Sequence, residues 1–66
     1  MTQITNLARM RTHMGLSQSQ LAAASDTHKQ QIVNVETGQR SMGGVSLRIA
    51  AKWAKALGVH AEELLD

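Results

Sequence analysis

Sixty-six residues without one cysteine must hold a fold together by packing alone. A chain of this length buries only about 60% of the surface its unfolded form exposes, so its stability is modest. Neither a disulfide framework nor a thiolate zinc site is available to reinforce it. What remains is a compact helical bundle, or a dimer that adds buried area. The absence of proline, the many alanines, leucines and glutamines, and a single aromatic residue, Trp53, favour helices over strands. One all-α domain spanning residues 1–66 is therefore expected.

Hydrophobic spacing divides that domain into five short helices. Ile4, Leu7, Met10 or Arg11, and Met14 recur at three- and four-residue steps, which predicts a first helix from Thr2 or Gln3 to His13, stopped by Gly15. Ser17 and Gln20 form the signature of a capping box, with Leu16 and Leu21 placed as a hydrophobic staple. That second helix is short, because Ser25, Asp26 and Thr27 are turn and cap residues. A third helix carries Ile32 and Val35 inward, ending near Glu36 ahead of Gly38. Gln39 to Gly44 lacks periodicity and reads as a loop. From Val45-Ser46 a fourth helix presents Leu47, Ile49 or Ala50, Trp53, Ala54 and Leu57 as a broad apolar stripe, closed by Gly58. A fifth short helix, Ala61 to Leu65, completes the layout.

Charge is unevenly spread. Residues 1–61 carry seven Lys or Arg against Asp26 and Glu36, a balance of +5 that Glu62, Glu63 and Asp66 lower to +2. A basic body with an acidic tail suits a polyanion at one face. No apolar run approaches the ~20 residues needed to cross a bilayer, and no secretory leader is legible, so a soluble, intracellular chain is expected.

The segment Ser17 to Glu36 carries the functional signal. It is a pair of short helices joined by a tight turn, with small Ala22 early in the first helix and branched Ile32 and Val35 in the second. In such a pair the first helix sets its N-terminus against a DNA backbone and the second reads base edges in the major groove. Leu16-Ser17-Gln18-Ser19-Gln20-Leu21-Ala22, followed by Ile32, Glu36 and Gly38, closely resembles the phage repressor and Cro-like (XRE-type) helix-turn-helix family. Ala56-Leu57-Gly58-Val59 and Glu63-Leu64-Leu65 resemble the end of the same domain, so the likeness covers nearly the whole chain. Two departures stand out: Asp26 and Thr27 replace the family's turn glycine and a following apolar residue, and the stretch from Gly38 to Gly58 is longer and lacks a proline. The path of the Gln39 to Gly44 loop is left open.

The resemblance implies a lambda-repressor-like fold in which Gln18 contacts a DNA phosphate, while His28, Lys29, Gln30 and Asn34 face base edges. Side-chain chemistry agrees, since glutamine pairs bidentately with adenine and lysine donates to guanine. It also implies an ion pair between Arg11 and Glu36, which accounts for a charge interrupting the apolar stripe of the first helix. Arg40 and Ser41, beside Gly43 and Gly44, are candidates for further phosphate contacts. Arg48, Lys52 and Lys55 read as solvating residues, and Trp53 as core.

His13, His28 and His60 are far apart and have no carboxylate at ligand spacing, and no nucleophile-elbow context is present. No metal, cofactor, catalytic residue or membrane partner is expected. The sequence thus points to a transcriptional regulator of bacterial or phage origin, a cytoplasmic, nucleoid-associated repressor. It would bind double-stranded DNA as a homodimer through its C-terminal helix (Leu64, Leu65). The competing expectation is a protein-interaction module of the same fold, such as an antitoxin with little DNA reading.

Overall fold

A computed structural model describes residues 4–66. Among them are four α-helices: α1 (Asn6–His13), α2 (Gln18–Ser25), α3 (Lys29–Glu36) and α4 (Leu47–Leu57). Two 3₁₀ turns, Met42–Gly44 and Ala61–Leu64, complete the chain. The count of five helices is thereby corrected to four. The last segment is too short for α-helical bonds and closes instead on i to i+3 bonds, with Glu63 N–H donating to the His60 carbonyl at 3.0 Å.

Local chemistry sets the helix ends. Thr5 Oγ1 accepts the Ala8 N–H at 3.1 Å, and the Asp66 carboxylate accepts the Asn6 N–H at 2.7 Å. α1 therefore starts at Asn6 rather than at Thr2 or Gln3, both of which lie outside the described residues. α2 opens on a reciprocal capping box: Ser17 Oγ accepts the Gln20 N–H at 3.0 Å, and Gln20 Oε1 accepts the Ser17 N–H at 2.8 Å. Ser46 Oγ accepts the Ile49 N–H at the start of α4. At the end of α2, Asp26 adopts φ 55° and ψ 48°, the left-handed conformation, and the next amide, Thr27 N–H, bonds back to the Ala22 carbonyl at 3.0 Å. Aspartate tolerates this region better than most residues, at a cost glycine does not have.

The core joins all the elements. Leu7, Leu21, Ile32, Trp53 and Leu64 are fully buried, and Val35, Leu57 and Met42 nearly so. α2 packs on α3 and α4, α1 on α3, and the C-terminal turn on α4 and α1. Three apolar residues assigned inward instead face solvent. Ile4 precedes α1 and is 66% exposed, Met14 follows it, and Leu47 in the first turn of α4 is 79% exposed. The pairing of Leu64 and Leu65 as a dimer face is corrected as well. Leu64 is completely buried inside its own chain and only Leu65 is exposed. The bend at Gly58, followed by extended His60, swings the last turn back over α4 and plugs the core with Leu64. No helix among the described residues is long and apolar enough to cross a membrane.

Thr27 has a specific partner. Its Oγ1 accepts the Trp53 indole N–H at 2.9 Å and lies 2.8 Å from Ser25 Oγ, which in turn donates to the Leu21 carbonyl at 2.7 Å. A buried indole needs an acceptor, and an apolar side chain at 27 would leave it without one.

Replacing Asp26 with glycine is expected to stabilise the fold by about 0.5–1 kcal/mol, because the left-handed backbone then carries no steric penalty. Urea unfolding followed by circular dichroism checks this; an unchanged or lowered midpoint would show that the turn carries no such strain.

Candidate nucleic-acid interface

α2, the connection Asp26 to His28, and α3 form a packed two-helix unit. Ala22 lets the helices approach closely, and Ile32 and Val35 seat the inner side of α3 in the core. The opposite side is polar. His28, Lys29 and Gln30 are exposed, whereas Gln31 and Asn34 are half-buried. Neither α2 nor α3 carries an acidic residue in its first turn. The positive end of the α3 dipole, with Lys29 beside it, therefore faces outward without a neutralising charge, which favours an anionic partner.

An ion pair anchors the other end of α3. Arg11 Nε donates to Glu36 Oε2 at 2.7 Å and Arg11 Nη2 to Glu36 Oε1 at 2.9 Å, a bidentate geometry. Arg11 Nη1 donates to the Leu16 carbonyl at 2.8 Å. Gln18 Nε2 donates to Glu36 Oε1 at 2.9 Å. The two charged side chains are only 14% and 7% exposed. Hydrogen bonding to Glu36 raises the Arg11 pKa above its ordinary value, against a desolvation effect that lowers it, so the guanidinium stays charged at any working pH.

The remaining sequence-assigned residues fall into two groups. Gln18 is joined to Glu36 through one amide proton, and the second remains available to a phosphate oxygen. Asn34 and Arg40 come together at a cleft of about 230 Å³ between α3 and α4, which Gln31 and Ser46 also line. The Arg40 N–H bonds to the Asn34 carbonyl at 3.1 Å, and Arg40 Nη1 donates to the Gly44 carbonyl at 3.2 Å. This fixes the 39–44 loop against the end of α3, with exposed Ser41 on its outer side. Gln31 and Ser46 were not singled out from sequence. The three-residue step from Gln31 to Asn34, and the position of Ser46 just ahead of an apolar run, were the available signals.

A bundle of short helices whose second and third members form this unit, with an exposed polar tip on the third, defines a helix-turn-helix DNA-binding regulator. The chain belongs to the helix-turn-helix family, which matches residues 7–64. It is also similar to the crystal structure of the restriction-modification controller protein C.AhdI from Aeromonas hydrophila. The two share 40% sequence identity and a TM-score of 0.79, over 91% of this chain and 86% of that one. No curated protein matches the chain in sequence.

Arg11→Met leaves Glu36 buried with only the Gln18 amide for company, and is expected to cost about 3 kcal/mol of stability. The double variant Arg11→Met/Glu36→Leu is expected to recover more than half of that loss, since no charge is then stranded. A double variant no more stable than Arg11→Met in chemical denaturation would mean that lost packing, not the unpaired carboxylate, sets the cost.

Proposed function

We propose that this chain represses transcription by binding, as a homodimer, to a palindromic or near-palindromic operator, each copy reading one half-site with α3. The observation that carries this reading is the outward polar tip of α3, where His28, Lys29 and Gln30 stand exposed on a helix firmly seated in the core. His28, Lys29, Gln30 and Asn34 are the base-reading group, and Gln18, Arg40 and Ser41 hold phosphates on either side. Phosphate contacts fix position, and base contacts supply sequence preference. The domain acts without catalysis, on nucleoid DNA in the cytoplasm. Among the settings open to such a regulator, the likeness to a restriction-modification controller favours that role.

A single module of this size makes too few contacts for tight binding, and pairing two copies one helical turn apart removes that deficit. Support for the pairing surface comes from Leu65, 52% exposed, and Leu47, 79% exposed, which flank a groove floored by Met42, Val45 and Ala50. Two large leucines at one groove suit a two-fold contact in which the same patch meets itself.

Selection from a random duplex library supplies the operator, and a salt series then tests the reading. Affinity for bulk duplex is expected to fall steeply with salt as counterions are released. Gln18→Ala should weaken all duplexes alike, whereas Gln30→Ala should cost about 1–3 kcal/mol on the operator alone. Flat, negligible binding at low salt would favour a protein-interaction module instead.

The dimer has its own test. Leu47→Glu and Leu65→Glu should each shift the protein toward monomer in sedimentation velocity while leaving its helicity intact. A dimer that survives both changes would place the contact elsewhere.

A further inference from the structure

The base-reading group contains one internal hydrogen bond. Gln30 Nε2 donates to Asn34 Oδ1 at 2.9 Å, across one turn of α3. Gln30 is exposed and Asn34 half-buried, so the bond runs from the reading surface toward the cleft shared with Arg40. A free glutamine amide offers two N–H donors and one acceptor oxygen, and it can turn over to present either edge. With one N–H committed to Asn34, the orientation that keeps this bond is favoured about twofold over the turned-over one. That leaves the Gln30 carbonyl oxygen and one N–H uncommitted.

That remaining pattern, one acceptor beside one donor, selects among the four bases. In the major groove adenine presents the N7 acceptor next to the N6 amino donor, the complementary pair. Guanine presents two acceptors, O6 and N7, and would require both glutamine N–H groups, one of which is occupied. Cytosine offers only a donor, and thymine only an acceptor beside its methyl group. We propose that Asn34 is a positioning residue which, by holding the Gln30 amide in one orientation, makes Gln30 specific for adenine. The proposal rests on α3 being the reading helix and goes further by naming the base it reads. Asn34 then serves the base-reading group by way of Gln30, and its backbone carbonyl remains tied to the Arg40 N–H whatever its side chain does.

The experiment compares four proteins, wild type, Gln30→Ala, Asn34→Leu and Asn34→Asp, on a set of duplexes that carry each of the four bases in turn at every operator position. For the wild type, one position per half-site should prefer adenine about tenfold or more, within the range measured for good bidentate pairs. Gln30→Ala should flatten the preference at that position only. Asn34→Leu should lower the adenine-over-guanine ratio there by about twofold, without flattening other positions, because the amide can again turn over. Asn34→Asp keeps the acceptor oxygen, so the adenine preference should persist while the added negative charge weakens every duplex alike. A merely structural role for Asn34 would move affinity at all positions together and leave the base preference in place. If Gln30→Ala flattens one position and Asn34→Leu leaves that position unchanged, the orientation proposal is overturned while reading by α3 stands. If neither change alters any base preference, Gln30 reads no base and the orientation proposal falls with it, while reading through His28 and Lys29 is left standing.

Discussion

Glu36 closes α3 by accepting three hydrogen bonds, two from the Arg11 guanidinium and one from the Gln18 amide, while Arg11 also holds the Leu16 carbonyl. One buried carboxylate therefore ties α1, the loop that follows it, α2 and α3 to a common point. Its net contribution to stability is small beside that of a well-packed apolar replacement, because both charges had to leave water. Its value is geometric. Leucine and isoleucine contacts tolerate sliding by a fraction of a turn, whereas a bidentate guanidinium-carboxylate pair permits one distance and one plane. With α3 pinned at its end and held near its start by the Thr27–Trp53 bond, the exposed residues between them project from a fixed base.

The features that sequence made legible are those whose causes are local. The Ser17–Gln20 box, the turn at Asp26 and the helix stop at Gly58 lie within a few residues of the groups they satisfy. Arg11 was legible for a different reason, since a charge in an apolar stripe needs a partner, and Glu36 was an acid at a suitable place. Spacing was weaker at deciding how far the core extends. Ile4, Met14 and Leu47 keep helical register with buried neighbours, yet each lies at a helix end where no facing element reaches it. Leu64 erred in the opposite direction. Nothing near it in sequence shows that the chain turns back after Gly58, so its burial emerges only from the tertiary path. At the interface, residue types were readable while their mutual bonds were not. Gln18 to Glu36 and Gln30 to Asn34 depend on which rotamers the packed helices leave open.

Arginine at position 40 shows how the connection between α3 and α4 is held in place. The loop does not wander into solvent. Met42 drops into the core, the Arg40 amide grips the last turn of α3, and the 3₁₀ turn hands the chain to Ser46. Residues 39–45 thus form a short strut between α3 and α4.

Trp53 is the chain's only aromatic residue, fully buried, and its indole N–H ends on the hydroxyl immediately before the α3 cap. Indole emission is sensitive to the loss of such a bond and to the entry of water. The described residues thereby contain a single intrinsic fluorophore wired to the base of α3. Any event that tilts or loosens that helix reports itself as a change in colour or intensity, with no label attached and no second emitter to confuse the signal.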